Sequence, residues 1–581
     1  MVIFMDTFKV YNKRMVVLFF FCSMFAIGVL CGRLVYLMIY KADYYGQKAI
    51  EIQERERTIK AARGLIVDRN GEILGANKTV CTISVVYNQV TDKEIVIKVL
   101  AEKLSMSEDE VRKKVEKVSS REKIKSNVDK AIGDAIRAYD MDGVKVDEDY
   151  KRYYPYNELA SKVIGFTGAD NQGIIGLEVE YEKYLTGTPG KILTVTDARG
   201  VELEKAVENR IEPIDGNTLV TSLDINIQKY ATQAAEKVLN AKQANYVSIV
   251  VMNPNNGEIY AMVNAPEFDL NKPYTLNSED VDTSGLSSKE KQNMLNKMWR
   301  NNCINDTYEP GSTFKVFTAT AALEEGLVSK ASSFHCPGFC TVDDRRIRCS
   351  KTTGHGAQTF AEAIAHSCNP AFVNIGLRLG VNNFYKYLNK LGLMEKTGVD
   401  LPGEAGTIIH KQSNVGNVEL ATMSFGQSFQ ITPLELLQTV SAVVNGGTIV
   451  TPHFGMSVQD SEGNVLEVLE YDTKEKVISE STCEIMKECM GLVVSSGGGS
   501  KGAVEGYYVG GKTATSEKLP RGNGKYIASF IGFAPADDPE VIAICIVDEP
   551  VGVYYGGSVA APVVKELYEN ILPYLGVKSV D

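Results

Sequence analysis

The stretch Tyr308-Glu309-Pro310-Gly311-Ser312-Thr313-Phe314-Lys315 decides how this chain is read. It sets a hydroxyl and an amine three residues apart, directly after a Pro-Gly pair that can start a helix. On a helix, positions i and i+3 share a face, so the Ser312 hydroxyl and the Lys315 amine come within hydrogen-bonding reach. A lysine kept neutral by burial can take the proton of a serine that attacks a carbonyl. The four-residue pattern is not unique. Ser120-Arg121-Glu122-Lys123 and Ser288-Lys289-Glu290-Lys291 repeat it, each in a charged stretch that reads as a solvated helix face. The rest of the chain has to choose among the three.

The chain has 581 residues, too many for one core, so three or four domain-sized units are the expectation. Its hydrophobic content of 44% and charged content of 23% are those of folded protein. A net charge of -11 argues against a nucleic-acid partner. Eleven cysteines, an odd number without the rhythm of a small scaffold, do not describe a disulfide framework.

Residues 15–32 (MVVLFFFCSMFAIGVLCG) carry no charge, and the apolar character resumes after Arg33 through Tyr40. About 20 such residues span a bilayer. Lys9, Lys13 and Arg14 precede the segment, which places residues 1–14 in the cytoplasm and everything beyond residue 40 outside. The apolar run is long for a signal peptide and no small-residue cleavage site follows, so 15–40 reads as a single membrane anchor.

Residues 41–62 are polar and helix-compatible, a juxtamembrane stalk. Arg63 to Gly71 reads as a short strand running into an Asn-Gly turn. Residues 97–117 have helical periodicity, and glycines punctuate the region from Tyr153 to Gly200. The character changes near Asp215-Gly216-Asn217, which divides a non-catalytic region, 41–215, from a larger one, 216–581. In the latter, Thr218–Ser222 reads as a strand, Ile225–Leu239 as an amphipathic helix, and Val247–Met252 with Glu258–Val263 as a hairpin. Strands follow at Tyr507–Ser516, Ile527–Ala534 and Val541–Val547, then a helix at Val563–Asn570. Strands at both ends with helices between predict an α+β domain with one antiparallel sheet built from the two termini. Ser495 to Ser500 reads as a flexible surface loop.

Ser312-Thr313-Phe314-Lys315, then Ser367-Cys368-Asn369, then Lys512-Thr513-Ala514-Thr515 resembles the three-motif signature of penicillin-binding transpeptidases and serine β-lactamases. Arg63-Gly64 to Gly71 and the stretch from Arg152 to Gly200 resemble the N-terminal domain of class B penicillin-binding proteins, so the likeness runs from the anchor to the C-terminus. Within the class it is nearest to the division and sporulation transpeptidases. The implied fold is the penicillin-binding/β-lactamase-like domain preceded by a pedestal or dimerisation domain. A literal Lys396-Thr397-Gly398 also occurs, but in loop texture. The site needs its Lys-Thr on a strand edge that an extended peptide can pair with, which selects Lys512. Ala514 stands where glycine is usual, so its methyl is expected to narrow the cleft or tilt the strand and to alter β-lactam affinity.

The resemblance implies attack on the penultimate D-Ala carbonyl of a peptidoglycan stem. Ser312 would form the acyl-enzyme, Lys315 would be its base, and Ser367 would relay a proton. Asn369 would hold the substrate backbone, and Lys512, Thr513 and Thr515 the terminal carboxylate. Backbone N–H groups of Ser312 and Thr515 would form the oxyanion hole. Catalysis needs no cofactor. The implied partners are stem peptides, β-lactams, the membrane, a separate glycan polymerase and division or sporulation membrane proteins. Two other readings stay open: a D,D-carboxypeptidase or β-lactamase-type hydrolase, and a non-enzymatic scaffold of wall synthesis.

One further cluster stands out. His335, Cys336, Cys340, Cys349 and His355 put three cysteines and two histidines within 21 residues. Such donors suit tetrahedral zinc, with Cys336, Cys340, Cys349 and His355 as the ligand set. A disulfide and free buried thiols are the competing readings.

Overall fold

Residues Val2–Val35 form one helix, and its last turn widens over Tyr36–Tyr40, where Lys41 N–H reaches back to the Tyr36 carbonyl at 2.9 Å. Lys13–Tyr40 is long and apolar enough to cross a membrane. Phe19, Phe20, Phe21 and Phe25 stand exposed on it, as side chains meant for lipid do. The structure is a computed structural model and describes residues 2–45, 48, 54–119, 121–195, 209–277 and 285–579. Parts of two predicted segments, 46–47 and 49–53 of the stalk and 196–200 of the glycine-punctuated region, lie outside the described residues.

The chain forms two compact units, one of residues 1–61, 79–150 and 188–214, the other of 62–78, 151–187 and 215–581. In the first, the periodic stretch 97–117 proves to be two helices, Lys93–Leu104 and Glu108–Val115. Ser105 breaks them by taking a left-handed conformation (φ 52°), and Ser107 caps the second by accepting from Glu110 N–H. Their Val96, Ile97, Leu100, Leu104, Val111 and Val115 pack on Cys81, Ile83, Val85 and Ile124. Those last four lie on antiparallel strand segments. Glu122 opens a strand, so the helix-face reading of 120–123 does not hold, and Ser120 lies outside the described residues. Ser288 to Lys291 does open an exposed helix, capped by Ser287.

In the second unit, Ile66–Val67 pairs antiparallel with residues 73–75 across the turn at Gly71 (φ 88°) and parallel with Leu219–Val220. The Arg63-Gly64 motif is explained by what surrounds it. Glu178 is fully buried and accepts from Arg63 Nε and Arg152 Nε, each at 2.6 Å, and from the Tyr154 hydroxyl. A Cβ on Gly64 would lie 1.8 Å from the Asn217 carbonyl oxygen, so only glycine fits there.

The rest of this unit is built on a five-stranded sheet. Its strands are β1 (Tyr246–Met252), β2 (Ile259–Ala265), β3 (Gly510–Glu517), β4 (Tyr526–Ala534) and β5 (Val541–Asp548), and its helices α1 (Ile225–Lys242), α2 (Lys315–Glu324), α3 (Asn369–Lys390), α4 (Pro433–Val444), α5 (Glu480–Ser495) and α6 (Ala561–Leu575) are used below. The strand order is β2-β1-β5-β4-β3, antiparallel throughout, so the termini of the region do assemble one sheet. Alternate residues serve two cores. Ile249, Val251, Ala543 and Cys545 face α1 and α6, whereas Val250, Ile542, Ile544 and Ile531 face the helical side. Burial on both faces is why these strands read as unbroken apolar runs. On the helical side, every residue of α4 is buried and α2 is buried along nearly its whole length.

Residues 495–500 lie at the surface, with Ser495, Ser496, Gly498 and Ser500 exposed, but the segment is tied down. Gly499 N–H bonds the Val493 carbonyl at 3.0 Å, Gly499 is buried, and a Cβ on Gly497 would meet the Ala365 carbonyl at 2.8 Å.

Candidate active site

Ser312 lies in a tight turn, Gly311–Phe314, that runs straight into α2 at Lys315. In such a turn, side chains at i and i+3 eclipse, which brings Ser312 and Lys315 closer together than a regular helix would. The turn is fixed on both sides. Gly311 (φ 57°) donates to the Gly426 carbonyl at 2.9 Å, and Phe314 stacks on Phe317 and meets Phe429 edge-on, each with centroids 4.6 Å away. Ser367 sits between a capped helix (Phe360–Ala365) and α3, in a left-handed conformation (φ 55°) unusual for serine.

Lys315 Nζ lies 3.0 Å from Ser312 Oγ, 3.1 Å from Ser367 Oγ, 2.7 Å from the Ser367 carbonyl and 2.7 Å from Asn369 Oδ1. Its side chain is fully buried, and burial pushes its pKa down to about 7. A carbonyl and an amide oxygen can only accept. They therefore take both hydrogens of the neutral amine and leave its lone pair for a hydroxyl proton. Lys512 Nζ approaches Ser367 Oγ from the other side at 3.0 Å, and it too is fully buried. Burial and the charge of Lys315 push it far below the usual lysine range. The Ser367 hydroxyl thus bridges the two amines.

Along β3, Lys512, Ala514 and Ser516 are buried while Thr513 and Thr515 are half-buried. The Thr515 hydroxyl accepts from Gly556 N–H at 3.0 Å. Pairing with β4 runs without a shift from Gly510 to Glu517, so Ala514 introduces no bulge into the strand. Nor is its methyl exposed: Ala514 is buried, and a Cβ on Gly311 would lie 3.5 Å from it. Lys396-Thr397-Gly398 lies in a loop, where the Thr397 hydroxyl donates to Glu404. The structure thus brings Ser312, Lys315, Ser367, Asn369 and Lys512 into one hydrogen-bonded group, with Thr513 and Thr515 on the same strand as Lys512.

Two neighbours escaped the sequence reading. Glu309, one turn ahead of Ser312, accepts from Ser428 N–H at 2.9 Å and pairs with Arg521 of the β3–β4 loop. Arg348 lends its carbonyl to Asn369 Nδ2 at 3.1 Å. Only the acidic residue beside the Pro-Gly was visible as a signal for the first, and nothing marked the second.

The cysteine cluster is partly rearranged. Cys336, Cys349, His355 and Cys368 have donor atoms all within 4.8 Å of one another. Cys340 is not among them. It pairs with Ile347 in a hairpin, and Cys368, the middle residue of Ser367-Cys368-Asn369, takes the fourth place. The Cys349 thiol lies 3.5 Å from His355 Nδ1, and a hydrogen bond from Cys368 holds its pKa down, to about 4. His355 stacks flat on His366, centroids 5.0 Å apart. Sequence distance hid Cys368, since the cluster was read as a local one.

A model of the penicillin binding protein transpeptidase domain matches residues 247–569, and one of the penicillin-binding protein dimerisation domain matches residues 58–221. Stage V sporulation protein D of Bacillus subtilis (strain 168) is 39% identical over 559 residues, covering 94% of this chain and 83% of the relative. The peptidoglycan D,D-transpeptidase FtsI of Escherichia coli (strain K12) is 27% identical over 569 residues, covering 96% and 91%. Penicillin binding protein 2X from Streptococcus thermophilus, a solved structure, has a TM-score of 0.73 at 22% identity over 89% of this chain and 80% of that one, a likeness of fold. With the transpeptidase match covering more than half of its length, the chain belongs to the class B penicillin-binding proteins.

Proposed function

We propose that this chain is a membrane-anchored peptidoglycan D,D-transpeptidase and that Ser312 is its nucleophile. The observation that carries this reading is the buried Lys315 amine, 3.0 Å from Ser312 Oγ and with its own hydrogens already engaged. As Ser312 Oγ bonds to the penultimate D-Ala carbonyl carbon, its proton passes to Lys315 Nζ. The negative oxygen then faces the backbone N–H groups of Ser312 and Thr515. The amide C–N bond breaks, and the departing D-Ala amine takes a proton delivered from Lys315 through the Ser367 hydroxyl, leaving an ester on Ser312. An amine of a second stem attacks that ester, gives up a proton along the same route, and frees Ser312 with a new cross-link formed. Lys512, Thr513 and Thr515 hold the terminal carboxylate, whose charge restores a proton to Lys512. Penicillin enters the same way, but the amine of its opened ring stays attached, so the ester persists.

The lysines and arginine before residue 15 favour a cytoplasmic N-terminus with the site facing the wall. The chain then works beside a separate glycan polymerase and the membrane proteins of division or sporulation. The test is labelling of the purified chain with a fluorescent penicillin. A long-lived adduct that Ser312→Ala abolishes supports the reading. Rapid release of hydrolysed penicillin would make the chain a hydrolase, and an adduct that survives in Ser312→Ala would place the nucleophile elsewhere.

Cys336, Cys349, His355 and Cys368 are proposed to hold a structural zinc. Three thiolates and an imidazole at mutual distances within 4.8 Å suit its tetrahedral shell. Bound there, zinc would brace the backbone at Ser367 and Asn369 and take no part in the chemistry. Elemental analysis without chelators should find one zinc per chain, and a metal-free chain would overturn this assignment.

A further inference from the structure

Between the nucleophile turn and Ser367, the strands Phe339–Val342 and Arg345–Arg348 form a hairpin with Phe339 opposite Arg348 and Thr341 opposite Arg346. Its two faces differ. Cys340 and Ile347 pack against the main core. Arg346 and Arg348, one residue out of phase with Ile347, stand on the other face and are exposed. The Arg346 guanidinium lies 3.8 Å over the ring of Phe339, the residue paired with Arg348 across the hairpin.

The backbone of Arg348 borders the site directly. The Arg348 carbonyl accepts from Asn369 Nδ2 at 3.1 Å, Asn369 Oδ1 accepts from Lys315, and Lys315 reaches Ser312. Arg348 is therefore three hydrogen bonds from the nucleophile. The acids of the hairpin do not neutralise it. Asp344 pairs with Arg345 at 3.7 Å, and Asp343, at the turn, accepts from Asn417. Among the described residues, Arg346, Arg348 and nearby exposed Lys351 have no carboxylate partner. Three uncompensated cations within six residues, one of them bonded through its backbone to Asn369, are unexpected in a chain of net charge -11.

We infer that Arg346 and Arg348 bind free carboxylates of the donor stem peptide, on the residues that precede its terminal D-alanines, and so select acidic stems over amidated ones. The inference rests on the transpeptidase reading and adds the chemistry of the preferred stem. The planar, always-charged guanidinium suits a carboxylate, and an exposed pair of this kind is worth up to about fivefold in affinity per arginine.

The test uses the full chain in detergent and two synthetic pentapeptides ending in D-Ala-D-Ala, identical except that the carboxylates ahead of the D-alanines are free in one and amidated in the other. The readout is D-alanine release in the presence of an acceptor amine. The wild type should favour the free acid by about tenfold in kcat/KM, through KM, and the preference should shrink as salt rises from 50 to 500 mM. Arg346→Gln/Arg348→Gln should bring the ratio close to one, and Arg346→Lys/Arg348→Lys should keep part of it. A wild-type ratio of one overturns the inference whatever the variants do, and so does a full preference in the glutamine variant. Absence of both D-alanine release and a penicillin adduct overturns the transpeptidase reading along with it, which separates the two failures.

Discussion

The Lys315 amine donates a 2.7 Å hydrogen bond to the side-chain amide oxygen of Asn369. Because that oxygen and the Ser367 carbonyl are pure acceptors, they orient the neutral amine with its lone pair toward a hydroxyl. The order of events with pH follows. Below a pKa of about 7, Lys315 is protonated and has no lone pair to offer; above it, the amine is a competent base. Acylation by penicillin should therefore rise as pH passes through 7 and level off beyond it. Asn369→Asp would put a negative charge against the amine and stabilise its protonated form. The rising limb should move up by a unit or more, and the rate at pH 7 should fall about tenfold or further. Rates of fluorescent-penicillin labelling between pH 5.5 and 9 check this, and a limb that stays in place would refute the base assignment.

The Ala514 methyl is buried beside the turn that carries Gly311, where a Cβ on Gly311 would come 2.3 Å from Ser516 Oγ and 3.5 Å from that methyl, and the turn cannot retreat. A Cβ on Gly426, behind it, would lie only 2.0 Å from the Gly311 carbonyl oxygen. Ala514→Val should therefore overpack this contact at a cost of about 1–3 kcal/mol. Displacement of Ser312 should slow acylation at least about tenfold, as small misplacements at a reacting centre do. Ala514→Gly should cost about 0.5–1 kcal/mol through backbone freedom. It should change acylation less than about threefold, since the methyl does not line the face with Thr513 and Thr515. Thermal melts and labelling rates on both variants decide the point.

How much of this was legible in the sequence depends on what kind of signal each feature sends. The sheet was legible because β1, β4 and β5 are buried on both faces and must be apolar along their length. The three motifs were legible because the chemistry demands particular residue types in a fixed order. The break at Ser105 was not, since a left-handed serine leaves the apolar periodicity on either side intact. Cys368 was hidden for a different reason: local spacing cannot reveal a neighbour that returns only after an intervening helix, Phe360–Ala365. The orientation of the Ala514 methyl was also out of reach, because strand register settles which face a residue takes.

Glu178 connects the Arg63 and Arg152 segments, and all three side chains are nearly excluded from solvent. Removing the carboxylate charge would leave Arg152 buried without its counter-ion and Arg63 with Glu182 alone. The penalty for breaking such a pair is about 3–5 kcal/mol, more than the pair itself contributes. Glu178→Gln should therefore lose about this much unfolding free energy and unfold at lower denaturant concentration. A change below about 1 kcal/mol in a urea titration would mean that water or a local shift compensates the arginines.

Cys340 and Cys368 offer the sharpest contrast for the thiol cluster, because local spacing favours one and geometry the other. Cys340 lies outside the group of four donors, on a hairpin strand opposite Ile347. Cys368 is fully buried, joins the group, and separates Ser367 from Asn369 in the chain. Cys340→Ser should keep one zinc per chain, whereas Cys368→Ser should lose it or hold it far more weakly, since a hydroxyl is a poor substitute for a thiolate. Loss of that bond would also free a backbone held at a left-handed serine, so Cys368→Ser should melt earlier and label more slowly with penicillin. Zinc content, melting temperature and labelling rate measured together separate the outcomes. Equal zinc in the two variants would remove Cys368 from the ligand set, and zinc lost from Cys340→Ser alone would return the site to the spacing-based set.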